Sequence, residues 1–117
     1  MSIMSEKDQC DVELDELRRE ILFMEGQYLI FQSMHRPTDP SDEHFTRAND
    51  MSFQLEVMID RLNDILAFDC KPGSSSQFEE VLRPMQRIVN NRDDIYDDPI
   101  GSIDSMIKIK DLIKRAM

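Results

Sequence analysis

An all-α fold, with heptad-patterned helices forming a coiled coil or an open helical bundle completed by partner chains, is predicted by three observations. Two stretches, Leu14 to Phe31 and Ala48 to Ile65, carry apolar residues at alternating spacings of three and four. Proline-containing segments separate the helical patterns. The composition is rich in methionine and poor in aromatics, with nine Met, no Trp and 7% aromatic residues. Flexible thioethers fill irregular helix–helix seams well, and a charged share of 32% suits helices with one wet face.

Residues 1–9 are expected to form a flexible N-terminus, and the first coiled-coil helix is predicted over 10–35. Its seam consists of Leu14, Ile21 and Tyr28 at heptad position a and Leu17, Met24 and Phe31 at d. Leu22, Phe23, Leu29 and Ile30 lie beside them, so the apolar surface exceeds a two-stranded stripe. A helix that broad usually touches at least two neighbours. Gly26 weakens the helix by about 1 kcal/mol relative to Ala unless another backbone approaches closely there.

A proline turn is expected over 36–41, where Pro37 and Pro40 each lack a helical amide donor and push their predecessors towards extended backbone. Ser41 is placed as an N-cap, with Asp42 and Glu43 complementing the positive end of the next helix. The second coiled-coil helix, 42–69, repeats the alternation through Ala48, Met51, Leu55, Met58, Leu62 and Ile65. Phe45, Ile59 and Leu66 fall at e and widen that stripe as in a trimer or bundle.

A loop over 70–76 leads to a third helix over 77–97, introduced by Ser76-Gln77-Phe78-Glu79 in the pattern of a capping box. Val81, Met85, Ile88 and Ile95 continue heptad spacing, with Arg92 in the intervening slot and a kink expected at Pro84. The pattern breaks again at Asp97-Asp98-Pro99-Ile100-Gly101. A basic C-terminal helix, 98–117, then carries Ile103, Met106, Ile107, Leu112 and Ile113.

Charge excludes one class of partner. Acids outnumber bases 24 to 14, a net charge of −10, whereas nucleic-acid binding depends on Lys and Arg displacing counterions from phosphates. Residues 101–117 are the exception, with Lys108, Lys110, Lys114 and Arg115 against Asp104 and Asp111, as befits a helix C-terminus or an acidic docking partner. No run approaches the roughly 18 apolar residues of a membrane span. The N-terminus lacks the apolar core of a signal peptide. An intracellular location is therefore expected, with Cys10 and Cys70 as free thiols. If the first two helices fold back on each other, however, the two cysteines lie at corresponding heights.

Catalytic chemistry is not expected. His35 and His44 flank the proline turn without metal-ligand spacing and are assigned to the surface. The acids from Asp93 to Asp98 lack the central Gly and terminal Glu of an EF-hand loop and read as a solvated stretch. There is no phosphate-cradling glycine loop and no nucleophile with a recognisable base. No enzyme activity, cofactor or metal is expected.

The stretch from Ala48 to Tyr96 resembles the C-terminal coiled-coil region of the central-channel nucleoporin 62 family. The likeness rests on Ala48, Gln54, Leu55, Met58, Leu62, Asp64, Ile65, Gly73, Leu82, Ile88, Asn90 and Asp94, with similar residues at Phe45, Met51, Leu66, Arg87 and Val89. Upstream, Glu13-Leu14-Asp15 is similar to the end of the family's preceding coil segment. The resemblance implies a helical subunit of a three-protein coiled coil in the nuclear-pore transport channel. Its partners would be the other central-channel nucleoporins. There is no FG dipeptide in the chain, so only the assembly role carries over, not the barrier role. Pro84, Pro99 and Gly101 also interrupt what is more continuous helix in the family.

The function expected is therefore a structural coiled-coil subunit, located at the nuclear pore if the resemblance holds and otherwise in cytoplasm or nucleus. Partner binding is assigned to the a and d seams of the first two helices together with Val81, Met85 and Ile88. The isolated chain is expected to be partly helical and self-associating. Alternatives are a subunit of a kinetochore, transcription or vesicle-tethering complex, or a self-contained helical adaptor.

Overall fold

The computed structural model describes residues 5–34 and 42–117; the turn expected at 36–41, with its Ser41 cap, and His35 lie outside them. The described chain is helical: α1 (Glu6–Ser33), α2 (Asp42–Ala67), α3 (Ser75–Asn90), α4 (Asp93–Asp97) and α5 (Pro99–Ala116), with a short 3-10 turn at Pro72–Ser74. The molecule is a rod of 54 × 25 × 24 Å.

α1 begins four residues before the expected boundary because Ser5 caps it. The Ser5 hydroxyl accepts from the Asp8 amide at 3.2 Å, and Glu6 and Asp8 complement the exposed amides of the first turn. α2 runs antiparallel to α1. Arg61 pairs with Glu13 near the start of α1, whereas Arg47 donates to Gln27 near its end. The inner faces meet along the predicted seam: Leu17, Ile21, Met24 and Phe31 lie against Ala48, Met51, Leu55, Met58, Leu62 and Ile65, all buried. Leu14 and Tyr28 pack at its margin.

No foreign strand is needed to bury that seam. α3 and α5 supply Phe78, Val81, Met85, Ile103, Met106, Ile109 and Ile113 to the same core, and Ile88 packs at its edge. The residues assigned to partners thus face helices of their own chain. The physical reason is the connection at 68–74, which reverses the chain and returns α3 and then α5 onto the hairpin.

That reversal depends on Asp69, whose φ of 53° is left-handed. The Asp69 amide donates to the Leu66 carbonyl at 3.2 Å and the Cys70 amide to the Ile65 carbonyl at 2.9 Å. This pair of bonds is a Schellman ending, and Asp tolerates the left-handed position better than most side chains. α2 therefore stops at Ala67. Cys70 is turned back towards α1, where it is joined to Cys10 with 5.2 Å between the Cα atoms. The expectation of two free thiols is corrected: hairpin pairing and the Schellman turn bring them within bonding reach.

Three other expectations are revised. The capping box at Ser76 does not form, because the Pro72–Ser74 turn pre-winds the chain and α3 starts at Ser75. The Ser74 hydroxyl donates instead to the Ala116 carbonyl, and Lys71 Nζ donates to the Met117 carbonyl at 2.9 Å, so the 70–76 loop caps the end of α5. The third helix runs on through Pro84 but stops at Asn90, where the Asn91 side-chain amide donates to the Arg87 carbonyl at 2.9 Å. Asp98, read as part of an interruption, is the N-cap of α5: its carboxylate accepts from the Gly101 amide at 3.0 Å, and Pro99 occupies the first helical turn, where no donor is required. A Cβ at Gly101 would collide with that carboxylate.

Candidate functional site

The side of α1 turned away from the core is also apolar. Leu22, Phe23, Leu29 and Ile30 are 66%, 53%, 67% and 47% exposed. They occupy heptad positions b and c, so helical geometry sets them opposite the a and d seam. Gly26 lies midway between the two pairs, and a Cβ built there would meet nothing within 4 Å. The patch is a flat apolar surface with a gap at its centre where a second backbone can approach.

A groove of about 270 Å³ opens beside it, between α1 and the end of α5. Ile21, Leu22 and Met117 line it, with Arg18, Glu25 and Lys114 at the rim. Lys114 Nζ pairs with the Glu25 carboxylate at 3.1 Å, bridging the end of α5 and α1 at the groove's rim. The chemistry is that of a socket for an aliphatic side chain: apolar walls and a charged rim already internally paired. Arg18 at the rim, and Arg19 beside it in sequence, form exposed ion pairs with Asp15 at 2.8 Å and Glu16 at 3.5 Å respectively.

The α1–α2 interface carries a cluster of buried charge. Arg61 lies 3.2 Å from Glu13 and 3.5 Å from Glu20, which stand one heptad apart on α1. Gln9 adds a 2.8 Å hydrogen bond to Glu13. Burial pushes the Glu20 carboxyl above its ordinary range; Arg61 opposes the shift, while the neighbouring Glu16 and Glu13 add to it. Burial acts to lower the Arg61 value, but the two carboxylates outweigh it and hold the guanidinium charged. The cluster ties two helices together.

A larger cleft of about 410 Å³ lies between α3, α4 and α5, lined by Arg87, Asn91, Asp94, Asp98, Ser102 and Ser105 among others. Three of its polar side chains already serve the fold. Asp98 caps α5, the Ser102 hydroxyl donates to the Asp98 carbonyl at 2.8 Å, and Asn91 closes α3. Among the described residues no group of three or more His, Cys, Asp or Glu is placed to hold a metal ion, and no helix is long and apolar enough to cross a membrane.

His44 departs from its expected surface position. It is buried, with its ring edge-on to Phe31 at 6.1 Å between centroids. Arg92, placed in an empty heptad slot, instead bridges elements: it donates to Glu56 at 2.7 Å and stacks 4.3 Å over the Phe53 ring. The assigned partner residues are gathered into one core or at its margin, and the exposed apolar patch consists of residues recognised in the sequence only as widening the first stripe. Their signal was present in Leu22, Phe23, Leu29 and Ile30, a second seven-residue repeat on the same helix.

The fold and its exposed faces define a class, an all-α helical bundle with an unpartnered apolar helix face. No family model, curated protein or solved structure matches the chain.

Proposed function

We propose that this chain is a non-catalytic structural subunit of a multiprotein assembly: a bundle closed on itself that docks helices of other chains on the outer face of α1. The observation that carries this reading is the exposed quartet Leu22, Phe23, Leu29 and Ile30 around Gly26. Together these side chains expose roughly 400 Å² of apolar surface, within the size range at which patches on monomers are often functional. Much of their apolar surface stays outside the core, so their clustering at heptad spacing favours a binding role. The test is affinity purification of the tagged chain beside a Leu29→Asp variant. The reading expects the same co-purifying proteins to be lost from the variant while its helical circular dichroism is unchanged. Retention of all of them would overturn it.

A second reading, a scaffold subunit of the nuclear-pore transport channel, is favoured by the likeness of 48–96 to the nucleoporin 62 family. Support comes from matches outside the core positions, at Gln54, Asp64, Asn90 and Asp94. Against a coil shared among three proteins stands the burial of Leu55, Met58, Leu62 and Ile65 within this chain. Joining such a coil requires α3 and α5 to leave the hairpin. Recovery of channel nucleoporins in the same purification supports this reading, and cross-links between α2 and those partners would show the bundle opened.

A further inference from the structure

We infer that the occupant of the outer α1 face is a second copy of this chain, the two α1 helices packing antiparallel about a two-fold axis at Gly26. The inference rests on the docking reading above and specifies its partner.

The first argument is symmetry. Leu22 and Phe23 precede Gly26 by four and three residues, and Leu29 and Ile30 follow it by three and four. A two-fold dimer requires a patch complementary to itself, and a palindrome about a glycine provides one. In an antiparallel pair, Gly26 meets Gly26 of the second copy, and the absence of Cβ atoms lets the backbones approach. Leu22 then faces Leu29 of the second copy and Phe23 faces its Ile30, because antiparallel helices match like heptad positions. The same rule already operates within the chain, where Glu13, Glu20 and Arg61 share position g.

The second argument is the groove. In this register Leu29 of the second copy arrives at the mouth of the 270 Å³ groove formed by Ile21, Leu22 and Met117. Leu29 is the most exposed large apolar side chain of the patch, at 67%. Each copy offers one knob and one socket, so the dimer fills two grooves at once.

The third argument is charge. The last turn of α1 contains no basic residue to offset its carbonyl end. The antiparallel register sets Arg19 opposite Ser33 of the second copy, bringing a cation to that negative terminus. The four patch residues supply roughly 400 Å², about half of the roughly 800 Å² per partner of a standard interface. An interface of that size belongs with weak, reversible association, so the dimer should dissociate on dilution. The net charge of −10 per chain opposes association, so added salt should strengthen it.

The test is sedimentation equilibrium of the full, non-reduced chain from low to high micromolar concentration, for wild type, Leu29→Asp and Gly26→Gln. Wild type should pass from monomer to dimer over that range and shift towards dimer as salt rises. Leu29→Asp should stay monomeric with native helicity. Gly26→Gln separates the two roles of that position: better helix propensity in open space should raise the melting temperature of the dilute monomer, while the long side chain blocks dimerisation. A wild-type monomer throughout, or a dimer unaffected by Leu29→Asp, would overturn the inference. If the chain stays monomeric yet Leu29→Asp loses its co-purifying proteins, the second copy is wrong and the docking face stands. If the substitution changes neither, both fall.

Discussion

α1 has two apolar faces with opposite fates. On the inner face Leu17, Met24 and Phe31 are fully buried against α2 and its neighbours; on the outer face Leu22 and Leu29 are two-thirds exposed. Both repeat every seven residues on one continuous helix, so local propensity and periodicity do not distinguish them. What distinguishes them is the rest of the chain. The Schellman turn at Asp69 and the cap at Asp98 return α3 and α5 to one side of the hairpin. Heptad spacing therefore marks both faces as apolar, while the connecting turns decide which of them the chain covers itself.

The largest expected effect sets the two faces against each other with the same substitution. Leu17→Asp places a carboxylate in the fully buried seam, losing the side chain's transfer energy and burying a charge. The combined cost of more than about 5 kcal/mol should unfold a domain of this size. Leu29→Asp on the outer face should change monomer stability by no more than about 0.5 kcal/mol. Circular dichroism melts of both variants at low concentration check the contrast. An unfolded Leu29→Asp would show that the outer face belongs to the core.

Next in size is the covalent tie between the hairpin's ends. Cys10 and Cys70 are 60 residues apart in sequence, and closing a loop of that length restricts the unfolded chain enough to stabilise the fold by about 4 kcal/mol in the chain-entropy picture. Cys10→Ala together with Cys70→Ala, or treatment with a reductant, should lower the urea midpoint accordingly and leave the outer face unaltered. Equal midpoints with and without reductant would show that the two cysteines are not bonded in solution.

Much of the fold was legible because its strongest signals are periodic. Leu14 to Phe31 and Ala48 to Ile65 are long runs of 3–4 spacing, and both became helices with that side buried. The ends were less legible, since a cap depends on one side-chain oxygen. Ser5, followed by an acid at Asp8, and Asp98, followed by Pro99, both carried recognisable cap patterns inside segments read as flexible or broken. His44 lies in the first turn of α2, where sequence position suggested the surface, but the hairpin presses it against Phe31. The candidate docking face was half legible. Leu22, Phe23, Leu29 and Ile30 stood out as surplus, but which of two stripes would stay exposed depended on α5 arriving from about eighty residues away.

The charged edge of the inner face offers a smaller test. Arg61→Met removes the cation shared by Glu13 and Glu20 and leaves two carboxylates in a largely buried site. Loss of a partner inside a buried pair costs about 3–5 kcal/mol. The Arg61 side chain retains 31% exposure, so water screens part of that loss and about 2 kcal/mol is expected. A urea titration of the variant measures it. The outer face should be unaffected, and patch-dependent association per folded molecule should remain at the wild-type level.

The smallest effect has a distinctive pH signature. Burial raises the Glu20 carboxyl above the usual value of 4.5, so the folded protein holds that proton to higher pH than the unfolded chain does. Stability from this group is thus fully present below the unfolded value and is lost as pH rises through the folded one; at neutral pH the charged carboxylate is a net burden. Glu20→Gln keeps an oxygen for Arg61, removes the burden and leaves Glu13 to balance the guanidinium. The variant should therefore melt a few degrees higher than wild type at about pH 7.5, and the gap should close towards about pH 4, where wild-type Glu20 is itself neutral. A wild type more stable than Glu20→Gln at neutral pH would reverse the sign, showing that attraction to Arg61 outweighs desolvation along this edge of α1.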